Sequence, residues 1–295
     1  MSVSTTLGTQ HEVNLPQGTI RYREHGSGDP VVFVHGFLAN GDLWSRVVPE
    51  LGGRFRCITP DWPLGSHEVP MTEDADLGGP ALARLIADFL EALDLHEVTL
   101  VGNDTGGALC QMVVTRHPAR VGRLVLTNCD AFDNFPPQFF KVLLAPVGLP
   151  GGAWALFQPF RVRALRNTPI GYGWLTKRGL DRETSDSFVC PGLARKEIRR
   201  DARKVLTGLH PRQTLEAATR LSTFDGPVLI AWAKERQFFP WEHAELLAGA
   251  FPSSRLEAIE DSYTFVPLDQ PQRLAELIAD FVAPPAGAEM AAAAV

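Results

Sequence analysis

The amino-acid sequence predicts an α/β fold, a mostly parallel sheet covered by helices on both faces and interrupted by one helical insertion. Three observations carry this. Strand and helix patterns alternate over residues 19–126 and again over 228–282. The run Val98-Thr99-Leu100-Val101-Gly102-Asn103-Asp104-Thr105-Gly106-Gly107-Ala108 joins a β-branched strand to a helix through a glycine-rich turn. Between them, over residues 131–225, the alternation stops in a segment rich in Phe, Pro, Gly, Arg and Leu. Strands that alternate with helices give parallel sheets, because every parallel return needs a crossover.

The elements follow in order. Residues 19–24 alternate and suit a strand, and 30–34 form a short apolar run that ends at His35-Gly36. Residues 56–59 are another strand. Residues 81–95 repeat apolar side chains at helical spacing. Residues 98–101 are a buried strand, 108–116 a helix and 124–126 a strand. After the insertion come strands at 228–231 and 255–259 and helices at 241–250 and 271–282. Phe135-Pro136-Pro137 opens the insertion and Asp225-Gly226-Pro227 closes it. The expected division is a core of residues 1–130 and 226–285, a helical cap of 131–225, and an Ala-rich flexible tail of 286–295. Residues 1–10, small and polar, are expected to be loose.

Bulk properties narrow the function. A chain of 295 residues, 45% hydrophobic and 21% charged, can bury a large core without disulfides or metals. Its net charge of −6 is mild. Nucleic acid is not an expected partner, because phosphate binding needs clustered Lys and Arg. The basic stretch 195–204 alternates with acids and apolar residues and reads as the solvated face of a helix. Cys57, Cys110, Cys129 and Cys190 lie far apart, as free thiols of a reducing compartment do. No secretory pattern opens the chain, and no apolar run reaches the ~20 residues that span a bilayer. The expectation is a cytoplasmic protein with no membrane partner and a small-molecule substrate. No phosphate loop, metal-ligand cluster or cofactor motif occurs, so neither cofactor nor metal is expected.

The turn after residues 98–101 needs small neighbours, because its central residue takes a strained backbone conformation. Gly102, Gly106 and Gly107 supply that room and leave Asp104 at the centre. The next helix aims its N-terminal dipole at the same spot. His35-Gly36-Phe37 supplies a second turn. The backbone N–H groups of Phe37 and Thr105 are the expected oxyanion donors. His35 is expected to act as a structural hydrogen-bonding residue.

These motifs resemble the α/β-hydrolase superfamily over residues 12–283, insertion included. With Asp at the elbow, the chain is most similar to haloalkane dehalogenases and soluble epoxide hydrolases. The resemblance implies that a carboxylate attacks carbon and forms an ester, which a His-activated water then hydrolyses.

The helpers of that reaction are substituted. Where the superfamily places an acid, Trp232-Ala233-Lys234-Glu235-Arg236-Gln237-Phe238-Phe239-Pro240 offers Arg236. Where it places the His, Asp261-Ser262-Tyr263-Thr264-Phe265-Val266-Pro267 offers Thr264. His67, after a strand at the active end, is the best substitute base. Asp130, which follows the strand at 124–126 in Thr127-Asn128-Cys129-Asp130, either serves as an acid or anchors the cap. The leaving halide of a dehalogenase is gripped by a Trp that here is Thr105. Epoxide hydrolases use cap tyrosines, for which Tyr172, and Tyr263 beside the lost His, are the candidates.

Without a base, an ester on Asp104 would accumulate. The expectation is therefore non-hydrolytic acid/base chemistry of the isomerase, lyase or cyclase kind. The alternatives are an Asp-nucleophile hydrolase of an epoxide, halide or ester, and a catalytically inactive binding protein. Phe132, Phe135, Phe139, Phe140, Trp154, Phe157, Phe160 and Trp174 are expected either to line an apolar pocket for an aromatic ligand or to pack cap against core.

Overall fold

The structure is a computed structural model that describes residues 5–235 and 238–283. The core elements up to the insertion are β1 (Thr9–Leu15), β2 (Gly18–His25), β3 (Pro30–Val34), β4 (Arg56–Pro60), α1 (Gly79–Ala92), β5 (Val98–Asp104), α2 (Thr105–Arg116) and β6 (Val121–Cys129). Residues 131–225 hold α3 (Gln138–Leu144), α4 (Gly152–Phe157), α5 (Arg163–Arg166), α6 (Arg182–Ala194), α7 (Lys196–Gly208) and α8 (Pro211–Ala218). The core then resumes with β7 (Val228–Ala233), α9 (Trp241–Ala250), β8 (Ser254–Ile259), α10 (Val266–Asp269) and α11 (Pro271–Val282).

Among the described residues the strands form one eight-stranded sheet in the order β1-β2-β4-β3-β5-β6-β7-β8. β1–β2 and β2–β4 pair antiparallel, and all later pairs are parallel. The strand order reverses at β3 and β5, which lie side by side although β4 separates them in sequence. In open parallel sheets, ligands bind beyond the strand ends at such a reversal. Here those ends carry His35-Gly36-Phe37 and Asp104.

Side-chain alternation sorts the sheet residues into two cores. Val32, Val34 and Leu100 face one helical layer, whereas Val31, Phe33 and Val101 face the other. A strand covered on both faces reads as a continuous apolar run, which is why these strands stand out in the sequence. The chain start is a correction. Thr5–Leu7 form a short turn with Leu7 buried, and β1 begins at Thr9 rather than lying in a loose leader. β1 is a mostly exposed edge strand, so it carries little hydrophobic signal. The tail 286–295 lies outside the described residues.

Two boundaries shift for local reasons. α2 begins at Thr105, three residues before the expected start, because the Asp104 side chain accepts from Thr105 N–H and caps the helix. α1 stops at Ala92 rather than 95, with Asp94 at a φ of 47° turning the chain. The basic stretch 195–204 lies on α7, as expected of a helix face. Ile198, Asp201, Ala202 and Val205 fill its buried side at helical spacing.

Candidate active site

Asp104 holds a φ of 56° and a ψ of −133°, outside the ordinary regions for an L-residue. The turn persists because its neighbours have no side chains. A Cβ on Gly106 would sit 2.2 Å from the Val34 carbonyl oxygen, and one on Gly107 would sit 2.3 Å from the Cβ of Cys129. Gly36 has a role that the sequence did not reveal. A Cβ there would lie 2.5 Å from the Cβ of Asp104 and 2.8 Å from its Oδ1. Only glycine lets the two turns meet at the carboxylate.

Asp104, Thr105 and Phe37 line one cavity, joined by Asp130 and Tyr172. Thr105 N–H donates to Asp104 Oδ1 at 2.5 Å. The Thr105 hydroxyl lies 3.1 Å from the same oxygen and 3.3 Å from Asp130 Oδ2. One hydroxyl thus spans two carboxyl groups. The Phe37 N–H has no protein acceptor among the described residues. One expected oxyanion donor is therefore open, and the other already holds the Asp104 carboxyl.

Asp130 is buried, and its Oδ1 has no hydrogen-bond partner among the described residues. Burial raises its pKa well above the ordinary carboxylate range, and the Asp104 charge raises it further. Burial also raises Asp104, against the lowering effect of the Thr105 hydrogen bonds. Two carboxyl groups this close in an apolar cavity do not both ionise at neutral pH, so the pair retains a proton. Asp130 is the more deeply buried member and is the one that holds it.

The remaining candidates separate clearly. His35 is fully buried, with Nδ1 2.9 Å from the Gly36 carbonyl and Nε2 accepting from Trp62 N–H at 2.9 Å. Burial lowers its pKa to about 3, so it stays neutral and braces the Gly36-Phe37 turn. His67 is not a substitute base. Its Nε2 lies 3.1 Å from Asp201 Oδ2 on α7, away from the cavity lining. That contact ties the loop after β4 to the insertion.

Tyr172 lines the cavity, but its hydroxyl donates to the Leu38 carbonyl at 2.7 Å and is committed there. Tyr263 does not reach the cavity. Its ring faces Lys177 Nζ at 5.6 Å, and its N–H donates to Asp269. Thr264 is buried outside the lining, with its carbonyl held by Asn103 Nδ2 at 2.7 Å. Glu235 pairs with Lys177 at 2.6 Å, which turns it from Asp104. Arg236 lies outside the described residues.

No His, Lys or Arg lines the cavity among the described residues. Its wall is more aliphatic than the sequence suggested. Phe140 and Phe160 contribute, beside leucines such as Leu143, Leu156, Leu206 and Leu209. Phe135 and Phe157 are buried in packing roles, and Trp154 is exposed. Phe139 and Trp174 pack on Phe238 with tilted rings, and the Phe238 ring also lies 4.6 Å from that of Phe140. Phe238 follows β7 and gave no sign in sequence that it joins an insertion cluster. The described residues contain no group of His, Cys, Asp and Glu arranged to hold a metal. They also contain no helix long and apolar enough to cross a membrane. All four cysteines are free.

Comparison with known proteins bears on the fold. The family model described as alpha/beta hydrolase fold matches residues 29–271. The chain is 24% identical to a 2-hydroxy-6-oxo-6-phenylhexa-2,4-dienoate hydrolase of Burkholderia cepacia, covering 96% of this chain and 98% of the relative. It is 25% identical to haloalkane dehalogenase 2 of Mycobacterium bovis, covering 89% and 91%. Among solved structures, a single-residue variant of the haloalkane dehalogenase DatA from Agrobacterium tumefaciens superposes with a TM-score of 0.78. That match has 23% identity and covers 94% of this chain and 98% of the other.

Proposed function

We propose that this chain, which belongs to the alpha/beta hydrolase fold family, catalyses cofactor-independent acid/base chemistry on a small to medium apolar or aromatic organic molecule. One observation carries the reading. The Thr105 hydroxyl bridges Asp104 and Asp130 in a cavity with no His among its described lining residues. Asp104 Oδ1 is held by Thr105 N–H, so Oδ2 is the oxygen offered to a substrate. Ionised Asp104 removes a proton from carbon beside a carbonyl, and the open Phe37 N–H supports the developing enolate oxygen. Protonated Asp130 supplies a proton to the enolate. Rotation of the Asp104 carboxyl then brings its proton to Thr105, whose hydroxyl takes it up and gives its own proton to Asp130, which restores both groups with no net gain or loss. The apolar wall favours an apolar substrate, as does the phenyl-bearing substrate in the name of the Burkholderia relative.

A second reading has its own support. The bond that fixes Oδ1 also leaves Oδ2 free to attack carbon, as in an Asp-nucleophile hydrolase of a halide, epoxide or ester. With no base at hand, the ester so formed would persist. The two readings part in one experiment. Wild type and Asp104→Asn are incubated in D₂O with apolar aryl ketones, and separately with alkyl halides and epoxides, then analysed by mass spectrometry. Asp104-dependent deuterium at the ketone α-carbon supports the proton relay. A covalent adduct on Asp104 without exchange supports the nucleophile. Neither result in wild type overturns both.

A further inference from the structure

The mild net charge hides a division between the two parts of the chain. Residues 131–225 carry fifteen Lys and Arg against eight Asp and Glu, a net charge of +7. The rest carries thirteen against twenty-six, a net charge of −13. Exposed apolar groups follow the same division. Of the ten large apolar side chains exposed among the described residues, nine fall within 131–225. They include Val142 at 70% exposure, Leu149 at 64% and Trp154 at 56%.

Positive charge and apolar surface meet in one groove. Leu149 and Trp154 form one side, and Lys196, Arg199, Arg203 and Lys204 on α7 form the other. Arg200, which also lines the groove, is paired with Asp201, whereas the other cations bond to backbone carbonyls or stand exposed. Arg199 donates to the Gly192 carbonyl, Arg203 to that of Gly148, and Lys204 to those of Glu73 and Ala75. No ion pair joins these four residues to a carboxylate among the described residues; Lys196 and Arg203 are exposed, and Arg199 and Lys204 are half-buried, the last of them near the Asp74 charge. Across the 146–156 segment lies an apolar cleft lined by Pro146 and Ala155. It shares Leu143, Leu156, Phe160 and Ile170 with the Asp104 cavity.

We infer that this face of the insertion docks on an anionic lipid bilayer and draws an apolar substrate from it toward Asp104. The acidic core turns away from the anionic surface, and the basic insertion turns toward it, so the charge division sets the orientation. Trp154 and Leu149 enter the headgroup boundary while α7 supplies the charge. The cleft then opens beside the lipid rather than into water. The lack of a membrane-crossing helix does not bear on this, because the attachment is to the surface.

Flotation with vesicles tests the inference on the full chain. One set contains phosphatidylcholine alone, and the other contains phosphatidylcholine and phosphatidylglycerol at about 7:3. Wild type is expected to float with the anionic vesicles only and to release as salt rises past ~0.3 M. Lys196→Glu, and separately the pair Leu149→Ser with Trp154→Ser, should each weaken binding about fivefold or more with an unchanged melting temperature. These side chains lie outside the Asp104 cavity. Equal binding to both vesicle types, binding to neither, or binding that the folded variants leave unchanged overturns the inference. Retention on heparin without flotation also overturns it and assigns the groove to a soluble polyanion.

Discussion

Asn103 Nδ2 donates to the carbonyl of Thr264 at 2.7 Å, stitching the residue before the elbow to the loop after the last strand. The same amide lies 2.7 Å from Thr127 Oγ1 and 3.3 Å from the Asn128 carbonyl. Three segments far apart in sequence thus converge beside Asp104. Position 264 is near the carboxylate by this link, yet its side chain is a buried Thr outside the cavity.

That placement makes the assignment of position 264 as the base position testable. Thr264→His combined with Arg236→Asp is expected to give turnover on a panel of esters and epoxides where wild type gives none or a single adduct. The measurement is product release under multiple-turnover conditions. A folded double variant with no release would count against the assignment of these two positions.

Thr105 separates the bridge from its packing. Thr105→Val keeps the shape and the N–H but removes the hydroxyl between Asp104 and Asp130. Proton exchange at the substrate should fall by about 100-fold in Thr105→Val. It should stay within a few-fold of wild type in Thr105→Ser. The pH profile should also lose the dependence that the coupled pair creates. Equal rates and profiles in Val, Ser and wild type would remove the bridge from the mechanism.

Asp104 links activity and stability to pH. Burial pushes its pKa up to about 6, above that of an unfolded Asp near 3.9. The native state therefore holds a proton that the unfolded state has released. Stability from this group is present below about pH 4 and is lost as pH rises through about 6. Asp104→Asn should flatten that fall and raise stability at pH 7 by about 1–2 kcal/mol, read by urea unfolding at pH 4 and pH 8. It should also abolish exchange activity, which in wild type rises through pH 6 as Asp104 ionises. A variant less stable than wild type at pH 8 would show that the carboxylate is favourably held.

His35 gives the opposite slope. Its folded pKa of about 3 lies below the ordinary 6.5, so the unfolded state takes up a proton that the native state refuses. Stability from His35 is full above about pH 6.5 and is lost as pH falls toward 3. His35→Ala should cost about 2–4 kcal/mol at pH 7, because the Trp62 N–H and the Gly36 carbonyl lose a buried partner. It should also reduce the acid-side slope in urea unfolding. Retained stability with lost activity would instead make His35 part of the chemistry.

Much of the fold was legible because it rests on local rules. A continuous apolar run marks Pro30–Val34, and an apolar run interrupted only by Thr99 marks the start of Val98–Asp104, both strands buried on both faces. The elbow was legible because only glycines fit around a strained Asp104, and position 102 or 107 tolerates nothing larger. β1 was not legible, since an exposed edge strand has no apolar face to announce it.

The sequence alone determined the sheet and the glycine-lined turn that carries Asp104. Each follows from residues near one another in the chain. Only the tertiary structure decided that His67 pairs with Asp201, that Tyr263 faces Lys177, and that Asp130 meets Asp104 through Thr105. Those pairings depend on strand register and on how the insertion seats over the sheet. A side chain's direction is fixed by its packing, and spacing in sequence carries no record of it.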